Sequence, residues 1–525
     1  MEKIWFGLVL LSLAAHAFAQ LKKELHMMQL NSYRNSRYWS WTKKNFSQKF
    51  VFSILLMAIA GVLALLKIAS IPAYLVWIFG AGFGAYRLLT EKHKKKLAFT
   101  RRAKTLFFTS IGLFVVANTA VVWFVPAQFT MLTLVLMDFM AFGWLILANF
   151  VLIPVEQRIA QWYYADARRI IKSMPQLKVI GITGSYGKTS VKHFLTRILS
   201  EKYNVVMTPG SYNTPMGVTI TIRNHIKPIH EIFVCEMGAK QIGDIKELCN
   251  LAHPQIGILT AVADQHLDTF GSIENIQKGK FELIDALPKD GVGYLNFDYE
   301  YVKNHSPIAH VENHAYSLHQ PDADYQARDL QYTAKGMQFS VYHKNEKVME
   351  LETKLMGEAN MSNILVCCAV ALRFDVPIKN IQFAVKNLQP VKHRMELKRN
   401  PGGITILDDA FNSNPAGAKM ALNVLKQIEG GQKVIITPGM IELAEKEYEL
   451  NKVLGEQIAE HVDYAILVGP KQTLPIQEGL KNKNYPEDRL YIARNLTDAN
   501  QHLMKIAKAG DVVLYENDLP DTYNE

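Results

Sequence analysis

Cysteine is scarce: Cys235, Cys249, Cys367 and Cys368 are the only four in 525 residues, and none forms a C-x-x-C pair. That excludes a disulfide framework and a C-x-x-C metal or redox site, and it predicts reduced core residues. Internal repeats and low-complexity runs are absent, which argues against a solenoid. A composition of 49% hydrophobic and 20% charged residues excludes a disordered or collagen-like chain. Charge is sparse in the long apolar runs within residues 1–153, where Arg87 and Asp138 are the exceptions, whereas residues 155–525 read as an ordinary soluble protein. The length accommodates several domains.

The net charge of +10 is concentrated. Residues 21–50 hold Lys22, Lys23, Arg34, Arg37, Lys43, Lys44 and Lys49 against Glu24. Residues 90–104 hold Lys92, Lys94, Lys95, Lys96, Arg101, Arg102 and Lys104 against Glu91. These two segments account for the whole surplus. No nucleic-acid partner is expected; basic membrane loops are.

Five apolar stretches flank those loops: Ile4–Ala19, Phe50–Leu66, Ile68–Leu89, Leu106–Val125 and Phe129–Ile153. A membrane-crossing helix needs about 20 apolar residues, so residues 1–154 are expected to form four or five transmembrane helices. The positive-inside rule places both basic loops, and everything after Pro154, in the cytoplasm. The first stretch has a second reading, because Lys3, the apolar run and Ala17-Phe18-Ala19 also resemble a signal peptide. Asp138, inside the fifth stretch, is expected to pair with Asn118 or Asn149 or to serve a function. Anionic membrane lipid is a partner that the basic loops suit.

From Gln176 the pattern becomes strand–loop–helix. Leu177–Thr183 reads as a buried strand, Gly184-Ser185-Tyr186-Gly187-Lys188-Thr189-Ser190 as a glycine loop, and the following run to about Leu199 as a helix. Such a loop turns backbone N–H groups and a positive helix end toward phosphate oxygens. Lys188 suits the terminal phosphates of ATP, and the Thr189 hydroxyl suits Mg²⁺.

The shortened loop Gly181-Ile182-Thr183-Gly184-Ser185-Tyr186-Gly187-Lys188-Thr189-Ser190 resembles that of the Mur ligase family. Further segments resemble that family in order: Ser211-Tyr212-Asn213-Thr214-Pro215-Met216-Gly217, Glu236-Met237-Gly238-Ala239, Asp264–Ser272, Lys280-Phe281-Glu282 and Leu295-Asn296-Phe297-Asp298. His393-Arg394-Met395-Glu396 and Asp408–Pro415 complete the series, so the likeness covers roughly residues 176–515. Within the family it is greatest to the branch that adds D-alanyl-D-alanine to a UDP-N-acetylmuramoyl-tripeptide.

The resemblance implies an ATP- and Mg²⁺-dependent ligase of cell-wall precursor synthesis in a bacterium. The family activates a carboxylate as an acyl phosphate, which an amino acid or dipeptide then attacks. It implies catalytic roles for Lys188, His266 and Lys280, and metal contacts from Thr189, Glu236, His266 and a carbamylated Lys280. It implies ATP contacts from Asn296 (adenine), Arg394 (phosphate) and Asp409 (ribose), and substrate contacts from Asn213 and Thr214. Each residue also has an ordinary reading. A lone Glu or His is usually solvated or hydrogen-bonded, Lys280 can belong to a charged helix face, and Asn-Thr-Pro is a common turn.

The expected fold is α/β: transmembrane helices over 1–154, a P-loop central domain over 155–388 and a Rossmann-like C-terminal domain over 389–525. Three departures from the family stand out. Its soluble N-terminal UDP-sugar domain is replaced by the apolar region, its C-terminal K-G-S-R segment by Glu516–Asp521, and its usual Tyr by Phe411. Other functions compatible with the sequence are an amino-acid polymer ligase of the folylpolyglutamate or poly-γ-glutamate kind, a P-loop transport ATPase and a silent scaffold.

Overall fold

The computed structural model describes residues 2–31, 33–44, 59, 62, 71–91, 96–126, 133–134, 136–138, 140–305, 311–333, 336–400, 402–410, 413–441 and 443–517. It divides into two compact units, Met1–Ile159 and Ala160–Leu519.

The first unit contains α1 (Glu2–Leu30), α2 (Asn35–Lys44), α3 (Ile71–Thr90), α4 (Arg101–Phe124) and most of α5 (Ala141–Lys172). Contrary to the expected break after Ala19, α1 continues through Lys22, Lys23 and Glu24. Leu21, Leu25 and Met28 keep its inner side buried, and Glu24 is itself buried as the acceptor of the Tyr38 hydroxyl on α2. Ala17 and Ala19 are buried in mid-helix. The expected Ile68–Leu89 span forms α3, and the Leu106–Val125 span begins earlier, at Arg101, where the Thr100 hydroxyl caps the Ala103 N–H. The expected Phe50–Leu66 span lies outside the described residues apart from 59 and 62, as do residues 129–132, 135 and 139 of the fifth stretch.

Two expectations need correction. Asp138 is bound by neither Asn118 nor Asn149; its Oδ2 lies 2.6 Å from Nδ1 of His16, a stronger, charge-assisted partner supplied by α1. Asn149 donates to Asn35, and Asn118 to the Phe114 carbonyl. The expected boundary between Pro154 and residue 155 falls inside a helix. The helix α5 runs through that proline because helix-forming residues follow it, at the cost of one backbone hydrogen bond. Among the described residues, α4 and α5 are long and apolar enough to cross a membrane.

The second unit holds two sheets. The larger comprises β1 (Lys178–Thr183), β2 (Val205–Met207), β3 (Ile232–Glu236), β4 (Ile256–Leu259), β5 (Val292–Asn296), β6 (Glu312–Ser317), β7 (Tyr325–Thr333), β8 (Gly336–His343) and β9 (Glu346–Thr353). Their order is β2-β3-β1-β4-β5-β6-β7-β8-β9. The pairings through β7 are parallel and the last two antiparallel. Strand β1 is buried on both faces. Ile180 and Ile182 pack with Val191, Phe194, Leu195 and Ile198 of α6 (Lys188–Leu199), whereas Val179 packs on the opposite side with Phe233 and Leu259. The chain leaves β1 toward β2 and β3, then crosses to β4. The C-terminal ends of β1, β3 and β4 therefore flank a switch point where ligands of open α/β sheets bind.

The smaller sheet comprises β10 (Glu396–Arg399), β11 (Thr405–Asp409), β12 (Lys433–Thr437), β13 (Tyr464–Val468), β14 (Leu490–Ala493) and β15 (Val512–Glu516), ordered β10-β11-β15-β12-β13-β14. Only β10 is antiparallel to its neighbour. At one end of it, Asp409 and Glu516 are register partners on adjacent strands.

All four cysteines are buried and free. Burial raises the thiol pKa of each. A thiol-reactive dye should leave the native protein unlabelled and modify four sites per chain after denaturation; rapid native labelling would contradict this packing.

Candidate active site

The phosphate loop leaves β1 at Gly184, whose φ is +149°. A Cβ there would stand 2.1 Å from Thr260 Oγ1 and 2.8 Å from the Ala261 nitrogen, so only glycine fits. Gly187, with φ of +78°, starts α6 in the left-handed region. Ser185 anchors the loop: its N–H donates to Ala261 O at 2.8 Å, and its hydroxyl donates to Ala263 O at 3.0 Å. The Tyr186 carbonyl accepts from Thr260. Lys188 folds back over the loop, its Nζ donating to Gly184 O at 2.5 Å and Ser185 O at 3.2 Å. Burial, partly opposed by Glu236, pulls its pKa down to about 8. Ser190 follows on the first turn of α6.

Glu236, at the end of β3, ties three elements together. Its Oε1 accepts from Thr189 Oγ1 at 3.3 Å and from Asn213 Nδ2 at 3.0 Å, and its Oε2 lies 2.9 Å from Lys192 Nζ. Lys192 and Glu236 are 0% and 1% exposed. Lys192 also donates to Gly210 O at 2.5 Å. Burial works against the Glu236 charge, but Lys192, Lys188 and Asn213 outweigh it and hold the carboxyl below its usual range.

The remaining expected residues fall into three groups. Lys280 is 2% exposed on the helix Ile273–Asp285, and burial reinforced by the like charge of Lys188 pushes its pKa well below the usual lysine range. His266 caps the short helix Leu267–Phe270 with φ of +58°. Among the described residues, no three His, Cys, Asp or Glu converge on one metal position; of the expected metal set, Thr189 and Glu236 share a hydrogen bond. Asn296 is buried, with both amide hydrogens committed to Thr260 O and Ser362 Oγ. Thr214 caps the helix Pro215–His225 through Gly217 N, as an ordinary turn residue does.

Arg394 comes from the segment before β10 and lies in the field of Asp409, Glu236 and Glu516, which oppose the burial that lowers its pKa. Asp409 accepts from Met395 N at 3.1 Å, and burial raises its pKa to about 6 despite Arg394. Glu516 accepts from Ser413 Oγ at 2.5 Å; burial and the Asp409 charge raise its pKa well above the usual range.

Sequence reasoning missed Lys192 as a functional residue and noted Glu516 only as a departure. Lys192 did carry a signal, since it lies one turn beyond Lys188 on the same helix face.

Two family models match this chain: the Mur ligase middle domain over residues 182–371, and the Mur ligase glutamate ligase domain over residues 393–515. The chain belongs to the Mur ligase family. A UDP-N-acetylmuramoyl-tripeptide–D-alanyl-D-alanine ligase of Bacillus subtilis is 28% identical over 341 residues, covering 65% of this chain and 72% of that protein. Its Escherichia coli counterpart is 27% identical over 61% of this chain and 70% of its own length. Among solved structures, Thermotoga maritima MurF in complex with ADP superposes with a TM-score of 0.61 at 24% identity, over 68% of this chain and 80% of that one. Acinetobacter baumannii MurF gives 0.61 at 22% identity, over 69% and 78%. At these identities the structural likeness establishes the fold.

Two outcomes follow from the site's electrostatics. Lys192→Met leaves Glu236 buried without its cation and should destabilise the protein by about 3–5 kcal/mol in denaturant titrations. Adding Glu236→Gln should recover much of that loss, and additive losses would contradict the pairing. The second concerns pH. The raised carboxyls of Asp409 and Glu516 bind protons more tightly folded than unfolded. Their contribution to stability is therefore present below pH about 4; that of Asp409 is lost as pH rises through about 6, and that of Glu516 as pH rises through its own raised range. The Asp409→Asn, Glu516→Gln double variant should gain stability over the wild type between pH 4 and 7 by more than about 1 kcal/mol. A pH-independent difference would contradict the shifts.

Proposed function

We propose that this chain is an ATP-dependent, ADP-forming amide ligase of peptidoglycan precursor synthesis, joining D-alanyl-D-alanine to a UDP-N-acetylmuramoyl-tripeptide. One observation carries the reading: Lys188, Thr189 and Glu236 meet at the ends of β1 and β3, with buried Lys280 electrostatically coupled to Lys188. The names of its relatives supply the substrates.

A donor carboxylate oxygen attacks the γ-phosphorus, and the bond to ADP breaks. The acceptor nitrogen then attacks the acyl carbon, expelling phosphate and losing its protons to phosphate and solvent. Lys188 and Arg394 supply positive charge to the phosphates, and the loop N–H groups orient them. Mg²⁺ fits the hydroxyl and carboxylate oxygens of Thr189 and Glu236, with His266 and a carbamylated Lys280 as the further residues assigned to it. When bound, it neutralises phosphate charge. The depressed pKa of Lys280 supports carbamylation, because the neutral amine is the form that takes up carbon dioxide.

Residues 1–154 are proposed as a multi-pass anchor in a bacterial cytoplasmic membrane, with the ligase domains in the cytoplasm. The apolar lengths of α4 and α5 and the two basic segments support this reading.

The test is amide formation by the detergent-solubilised protein. Phosphate release should require both substrates, and a new amide should appear by mass. Lys280→Ala should reduce the rate at least about 100-fold, with partial recovery on adding a short-chain carboxylic acid. Unchanged activity in that variant would overturn the role of Lys280, and release without the acceptor would overturn the ligase reading.

A further inference from the structure

A cavity of about 550 Å³ opens beside the phosphate loop, between α6, the Gly210–Ser211 turn and the segment 387–394. Thr189 and Arg197 both line it from α6, two turns apart. At 1.5 Å per residue, about 12 Å of helix axis separates them. Phe194 and Leu388 provide apolar wall, and Lys392 and Arg394 add positive charge from the facing segment. None of the lining residues is acidic.

An opening of this size holds a short peptide. Positive charge lines it at more than one place: Arg394 acts electrostatically on Lys188 and Glu236 next to Thr189, Arg197 stands two turns further along α6, and Lys392 lies on the facing segment. The 12 Å span matches about three to four extended residues. Resting on the ligase reading above, we propose that this cavity binds the peptide part of the carboxylate donor. The reacting carboxylate lies at the Thr189 end, and a second anionic group of the peptide is held by Arg197 and Lys392. The cavity thereby gives the donor a hold on the catalytic unit that is independent of its sugar nucleotide. Arg197 and Lys392 determine specificity here. Arg197 also pairs with Glu201 on the helix surface, where a partly exposed ion pair contributes little to stability, so charge-removing variants should fold.

The test uses the full-length protein and Arg197→Gln, Lys392→Gln and the double variant, with thermal unfolding as the folding control. At saturating ATP and D-alanyl-D-alanine, the double variant should raise KM for UDP-N-acetylmuramoyl-tripeptide about tenfold. Its kcat and its KM for ATP should stay within twofold, and Arg197→Lys should restore most of the affinity. By calorimetry, the donor should bind the double variant about tenfold more weakly, and free tripeptide should compete for wild type. An unchanged donor KM, a rise in KM for ATP instead, or failure of the tripeptide to compete would overturn the proposal. If wild type forms no amide, the substrate reading fails while calorimetry still decides on the cavity. Weaker donor binding by the double variant would uphold it, and equal or absent binding would overturn it.

Discussion

The ligase unit depends on one buried ion pair. Lys192 and Glu236 face each other at 2.9 Å with almost no exposure, and through them the helix after the phosphate loop is fastened to the end of β3. A charge so deeply buried is tolerable only with a partner. Glu236 Oε1 accepts from Thr189 and Asn213, its Oε2 has the Lys192 ammonium as its ion-pair partner, and Lys192 donates to the Gly210 carbonyl. The same contacts that stabilise the pair therefore set the start of the helix after the glycine loop, the Asn213 turn and the Glu236 carboxylate in one arrangement.

A second constraint acts from the smaller sheet. Arg394 stands between the carboxyls of its own domain and Glu236 across from it. Asp409 and Glu516 are register partners, and burial, reinforced at Glu516 by the Asp409 charge, disfavours the charged form of each, while Arg394 opposes that shift. The field around Arg394 is thus set in part by the ends of β11 and β15.

Much of this was legible in the sequence. The strands β1, β4, β12 and β13 announce themselves as short apolar runs before turn residues, and the glycine loop reveals its place between strand and helix. The strands β2, β6 and β10 were not anticipated. Glu312–Ser317 and Glu396–Arg399 are polar, and pairing with a neighbouring strand decides their state more than local preference does. The length of α1 was hidden because Lys22, Lys23 and Glu24 read as a loop, although Leu21, Leu25 and Met28 continue its buried side. Lys192 was hidden for the opposite reason: a lysine on an amphipathic helix reads as solvated until its carboxylate partner, 44 positions away in the chain, is placed beside it. Asn296 and Thr214 also have partners that no motif announces: Asn296 donates to Thr260 O and Ser362 Oγ, and Thr214 caps the Gly217 N–H.

The central claim is that a carboxylate oxygen attacks phosphorus. The most direct test is to supply donor whose reacting carboxylate carries oxygen-18, with ATP, Mg²⁺ and the acceptor, and to read the released phosphate by mass. An acyl phosphate route transfers one labelled oxygen to each phosphate formed. Unlabelled phosphate would mean that water, not the donor, attacks ATP, and would contradict the account.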